Sequence, residues 1–138
     1  MSSSERSGRR RGRVLAVDDH ATFLAVLRDI VAATAELEAV GVAQSGEGAI
    51  QAAGELKPDM VLMDVRMPGL GGIAAARQIK ACRPSTLMVL ISTARPDELP
   101  RDAHDTFADA VIWKRKLNPR LLDQMWLRYR DQSSPSLS

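Results

Sequence analysis

Four apolar runs in this chain end on residues able to do chemistry. Val14-Leu-Ala-Val17 leads into Asp18 and Asp19, and Asp59-Met-Val-Leu-Met63 into Asp64. Leu87-Met-Val-Leu-Ile91 leads into Ser92 and Thr93, and Ala110-Val-Ile-Trp113 into Lys114. Carboxylates brought close together repel and raise one another's pKa. A hard divalent cation relieves that repulsion, and Mg2+ in particular takes oxygen ligands through one or two carboxylates while keeping waters or phosphate oxygens. An aspartate beside such an ion, an ammonium and a hydroxyl is suited to accept a phosphoryl group. Its carboxylate attacks phosphorus to give an aspartyl phosphate, while metal and lysine steady the charge on the transferring oxygens.

For these residues to meet, the apolar runs must lie side by side. Uninterrupted runs of this length suit strands buried on both faces, as in a parallel sheet. A fifth, weaker run spans Leu37 to Ala43 and is interrupted by Gly41. Helical patterns separate the runs. Phe23, Leu24, Leu27, Ile30 and Val31 share a face of residues 21–33, and Gly48 to Leu56 is a short helix closed before Pro58. Ile73 to Ala81 is helical and closes before Arg83-Pro84, and Leu117, Leu121, Leu122, Met125, Trp126 and Tyr129 form a stripe on a last helix with Pro119 placed for its first turn. Residues 97–106 are the weakest helix, because Pro100 disturbs it. Five strands alternating with five helices predict an α/β fold with a parallel sheet covered on both faces by right-handed crossovers. The C-terminal strand ends then share one edge, where ligands bind in open α/β sheets.

Composition excludes several other classes. With 138 residues the chain fits one domain of ordinary size. A single cysteine, Cys82, rules out an internal disulfide scaffold. No apolar run reaches the roughly 20 residues of a membrane span, and the N-terminus has no signal-peptide core, so a cytoplasmic location is expected. The net charge of +2 is unevenly spread. Residues 1–13 carry five arginines and one glutamate, +4, which leaves 14 basic and 16 acidic groups, −2, in residues 14–138. The basicity therefore belongs to a tail, and no DNA binding is expected of the fold itself. Tails at 1–12 and 132–138, poor in apolar side chains, are expected to be disordered around a domain at 13–131.

The acidic pair Asp18-Asp19, the stretch Asp64-Val-Arg-Met-Pro-Gly-Leu-Gly-Gly72, the Ser92-Thr93-Ala94 triplet and Lys114 together resemble the receiver domain of two-component response regulators. The resemblance covers about residues 13–130 and is nearest to the regulators that carry a helix-turn-helix. It implies a flavodoxin-like (βα)5 fold with strand order 2-1-3-4-5. It implies that Asp64 is the phosphoacceptor, that Asp19 ligates Mg2+ directly and Asp18 through water, and that the backbone carbonyl of Arg66 is a further ligand. Thr93 matches the switch hydroxyl and Lys114 the lysine that pairs with a phosphoryl oxygen. Partners implied are a sensor histidine kinase or phosphotransfer protein and a downstream effector protein, with the last helix offering a docking or homodimer face. The domain would be no enzyme in the ordinary sense, but would catalyse its own Mg2+-dependent phosphorylation and dephosphorylation. No helix-turn-helix follows in these residues, and a stand-alone receiver is expected.

The chain departs from the family pattern where Val111 holds the usual aromatic position, where Arg115 replaces the proline after the lysine, where Lys116 adds further charge, and at Pro100. These departures motivate an alternative, a phosphorylation-independent interaction module. A phosphatase that works through an aspartyl phosphate is disfavoured, because Arg66 stands where such enzymes carry a second acid.

Overall fold

The computed structural model describes residues 11–98 and 108–132. The chain alternates β1 (Gly12–Val17), α1 (Ala21–Ala32), β2 (Leu37–Ala43), α2 (Gly46–Leu56), β3 (Met60–Asp64), α3 (Gly72–Cys82), β4 (Leu87–Ser92), β5 (Ala110–Trp113) and α4 (Pro119–Gln132). Short 3-10 turns occupy Pro96–Glu98 and Lys114–Lys116. All strand pairs are parallel, in the order β2-β1-β3-β4-β5. This is the expected fold and strand order. Residues 1–10 and 133–138 of the two expected tails, and most of the weak helix expected over 97–106, lie outside the described residues, while Gln132 ends α4. Pairing begins at Gly12, one residue inside the stretch expected to be disordered.

Strand alternation sorts the apolar side chains onto two faces. Val14, Ala16, Met60, Leu62, Leu87, Val89, Ile91 and Ile112 join one core with Leu24, Leu27 and Val31 of α1 and Leu122 of α4. Leu15, Val17, Val61, Met63, Met88 and Leu90 join the other with Ala49 and Ala53 of α2 and Ala75, Ala76 and Ile79 of α3. Small alanines on α2 and α3 let those helices approach the sheet, whereas α1 and α4 bring larger side chains. The weak fifth run is an edge strand with a register shift between Val14 and Leu15, so that Ala39 and Gly41 face them and Val40 is skipped.

The helix ends are tied down locally. Ser45 caps α2, its Oγ accepting the Gly48 N–H at 2.9 Å. The Asn118 side-chain oxygen accepts the Leu121 N–H at 2.9 Å, with Pro119 in the first position of α4. At the far end of α2, Lys57 takes a left-handed φ of 50° without being glycine. The Arg13 guanidinium reaches across from β1 to the carbonyls of Leu56 at 2.6 Å and Lys57 at 3.3 Å, holding that turn.

Candidate functional site

The alternation that builds the α1/α4 core continues past the strand ends. Asp18 follows Val14 and Ala16, Asp64 follows Met60 and Leu62, and Lys114 follows Ala110 and Ile112 in the same parity. One face of the sheet thus delivers two acids and an amine to its C-terminal edge. Lys114 Nζ lies 3.0 Å from Asp18 Oδ2 and 3.9 Å from Asp64 Oδ1. The three side chains are largely removed from water, at 0% exposure for Asp18, 7% for Asp64 and 14% for Lys114.

Asp18 is held further by His20. The His20 N–H donates to its Oδ1 at 2.8 Å, which closes the turn into α1. Asp19 is more open, at 24% exposure. The His20 ring nitrogen Nδ1 stands 3.1 Å from Asp19 Oδ1, yet that oxygen is buried without a hydrogen bond. Ligand atoms of Asp18, Asp19 and His20 all lie within 4.8 Å of one another.

Asp64 carries the electrostatic signature of the site. Burial and the neighbouring Asp18 push its pKa up from 3.8 to about 6, against the opposing pull of Lys114 and the Arg66 N–H, with Asp19 adding to the rise. The cluster therefore holds more negative charge than its one ammonium offsets. An orphaned, buried carboxylate oxygen beside two further acids is a donor set for a hard divalent cation, and the residues present fit Mg2+.

The turn after Asp64 sets how close the next helix comes. Gly72, the first residue of α3, sits so near the Asp64 backbone that a Cβ there would lie 1.9 Å from the Asp64 carbonyl oxygen. Its N–H donates to Val65 O at 3.2 Å. Gly71, at φ 83°, supplies the left-handed residue that turns the chain into the helix.

Thr93 keeps the parity of Leu87, Val89 and Ile91 and lies beyond β4, exposed. Ser92 is buried on the opposite parity, its Oγ accepting the Ala94 N–H at 3.0 Å. The Thr93 carbonyl accepts the Trp113 indole N–H at 2.9 Å, and the Arg95 and Arg115 guanidinium groups lie 6.0 and 5.2 Å from that ring. Val111 packs instead against the α2/α3 core. Sequence reasoning had set Trp113 beside Lys114 but had no signal for its bond to the Thr93 carbonyl, which pairs residues 20 positions apart. The sequence pattern places Phe23 only on a core stripe, whereas its ring centroid lies 4.0 Å from Lys114 Nζ.

Comparison with known proteins bears directly on this arrangement. The model of the response regulator receiver domain matches residues 14–125. The chain belongs to the response regulator receiver family. The response regulator GacA of Pseudomonas viridiflava is 42% identical over 88 residues, which cover 64% of this chain and 41% of GacA. Protein-glutamate methylesterase/protein-glutamine glutaminase 1 of Saccharophagus degradans is 32% identical over 124 residues, 80% of this chain and 34% of that protein. The receiver thus spans well under half the length of these relatives. The response regulator domain of Thermotoga maritima CheB superposes with a TM-score of 0.76 at 32% identity, covering 88% of this chain and 98% of that one. Among the described residues no helix is long and apolar enough to cross a membrane.

Proposed function

We propose that this receiver accepts a phosphoryl group on Asp64 from a phosphohistidine of a sensor kinase or phosphotransfer protein, and that the modified domain changes its protein partners. The observation that carries this reading is the single edge on which Asp18, Asp64 and Lys114 converge, with Asp64 raised to a pKa of about 6 by burial and its acid neighbours. At neutral pH a group of that pKa is mostly ionised and so is a competent nucleophile. An Asp64 oxygen forms the new P–O bond as the P–N bond of the phosphoimidazole breaks, and the imidazole leaves with a proton. Lys114, already 3.9 Å from Asp64, stabilises charge on a transferring oxygen, which costs little reorganisation because the ammonium is held beforehand.

Asp19, Asp18, Asp64 and the Arg66 carbonyl would hold Mg2+. When bound, the ion supplies charge neutralisation for phosphoryl transfer and for the hydrolysis that resets the domain. Thr93 supplies the hydroxyl that follows the phosphoryl group. Its loop is anchored through the Trp113 bond to its carbonyl, so movement of Thr93 and rearrangement of Trp113 are coupled.

The test is incubation with phosphoramidate or acetyl phosphate and Mg2+, read by intact mass. A single added phosphoryl group is expected on the wild type and none on Asp64→Asn. Equal labelling of the two proteins, or no labelling of either, sinks the phosphoacceptor reading. No labelling, together with partner binding that Asp64→Asn leaves untouched, would establish the interaction-module alternative that Val111 motivates.

A further inference from the structure

Lys114 has three donors and a long flexible stem, yet its hydrogen-bond partner among the described residues is one oxygen, Asp18 Oδ2 at 3.0 Å. Asp64 Oδ1, at 3.9 Å, is beyond hydrogen-bond reach. What closes off the ammonium is an aromatic face. Phe23 stands in the first turn of α1, three residues after His20, and its ring centroid lies 4.0 Å from Nζ. That is well inside the distance at which a ring quadrupole attracts a cation, and the attraction strengthens when the cation is shielded from water. Lys114 is so shielded, at 14% exposure.

Resting on the phosphoacceptor reading, we propose that Phe23 is the positioning residue for Lys114. Its ring gives the ammonium a wall that demands no hydrogen bond. The lysine is thereby kept over Asp18 and Asp64 rather than in one of its many solvent rotamers, while its remaining donors stay free for a phosphoryl oxygen. A polar partner in the same place would compete with the phosphoryl group, and an aliphatic one would exclude water without attracting the charge. The arrangement also explains why an aromatic residue, in a chain with only 4% of them, sits at the rim of the core beside a cation. The Phe23 side chain carries no oxygen or nitrogen to offer a cation, so metal binding should be indifferent to it.

The experiment compares wild type, Phe23→Leu and Phe23→Tyr. Leucine keeps an apolar side chain and removes the ring face, whereas tyrosine restores the face. Two readouts are taken. One is the initial rate of labelling by phosphoramidate across a Mg2+ titration; the other is the NMR shift of the Lys114 ε-methylene protons, which a ring face moves upfield. Phe23→Leu is expected to slow labelling about three- to tenfold, the size of a partly desolvated cation–π contact, with the Mg2+ midpoint unchanged. It should also return the methylene shift to that of a free lysine, and Phe23→Tyr should restore both. Labelling of Phe23→Leu at the wild-type rate, or a displaced Mg2+ midpoint accompanying the loss, overturns the proposal. Wild-type protein that takes no label defeats the phosphoacceptor reading instead. The methylene shift still decides the Phe23 contact in that case, and an unshifted wild-type resonance rejects it.

Discussion

The two edges of the sheet use the same side chains to opposite ends. At the N-terminal edge, Asp59 accepts the Arg13 N–H at 2.9 Å, and Asp123 accepts the N–H groups of Ala35 and Glu36 at 2.8 and 3.0 Å. Asp109 accepts the Met88 N–H at 2.7 Å and pairs with Lys80 at 2.9 Å. Lys80 also donates to the carbonyls of Pro84 and Thr86, each at 2.7 Å, so its three donors have three acceptors. At the C-terminal edge, Asp18 and Asp64 share one lysine, and an oxygen of neighbouring Asp19 is buried without a hydrogen bond. The difference teaches where to look for chemistry. A carboxylate that accepts backbone N–H groups staples the fold, whereas acids left short of positive charge store an interaction that only a ligand can complete.

The sharpest way to break this contrast is to push the two halves of the turn after Asp64 apart. Gly72→Ala should destabilise the domain by about 3 kcal/mol or more, since the added Cβ meets backbone and not a side chain that can rotate away. Urea unfolding would measure it, and a cost within error of zero would show that the close approach is not needed.

Next in size, Asp64→Asn should stabilise the domain at pH 8 in EDTA by up to about 3 kcal/mol, each pKa unit being worth about 1.4 kcal/mol. The sign follows from proton linkage. Asp64 titrates near 6 in the folded chain and near 3.8 in the unfolded one, so between those values the folded state holds more protons and stability falls as pH rises. The advantage of the variant should therefore grow from nothing below about pH 4 to its full value above pH 6. Denaturation curves at several pH values check this, and a pH-independent difference would refute it.

At the opposite edge, Lys80→Met should cost about 2 kcal/mol by leaving Asp109 without its cation, with screening at this partly exposed site keeping the loss below that of a buried pair. Mg2+ affinity should be unaffected, since the substitution is at the far edge; a weakened affinity measured by calorimetry would mean the two edges are coupled. The smallest expected effect is that of the ion itself. Mg2+ at ten times its dissociation constant should add about 1.4 kcal/mol, a rise in Tm of about 5 °C, and the rise should shrink in Asp64→Asn. Equal shifts in both proteins would place the ion elsewhere.

Much of this contrast was legible beforehand at the functional edge and little of it at the structural one. Asp18, Asp19, Asp64 and Lys114 announce themselves because each interrupts an apolar run, and a charge at the end of a buried strand demands a reason. Asp59, Asp109, Asp123 and Lys80 stand in turns and helices, where a solvated side chain is the ordinary expectation. Their partners are backbone groups brought near by packing, at separations such as the 88 positions between Ala35 and Asp123. The strand limits were nearly as readable: β5 falls on the apolar run Ala110–Trp113, while β1 starts at Gly12, two residues before its run. The helix ends moved by a residue or two, with α2 starting at Gly46, because its cap is Ser45 and caps act outside the apolar stripe.

By itself the sequence determined the class of fold, the shared edge and the family. Alternating strand and helix periods, with polar residues at strand ends, are local properties, and local properties are written in neighbouring residues. Only the tertiary structure decided which groups touch. That Lys114 bonds Asp18 and lies 3.9 Å from Asp64, that Phe23 roofs its ammonium, and that Trp113 holds the Thr93 carbonyl all depend on the register and twist of strands far apart in the chain. Asp64 is likewise shifted upward only because packing buries it and sets Asp18 beside it at the end of β1, against the pull of Lys114 from β5, and a pKa is a property of that assembled surrounding, not of the residue.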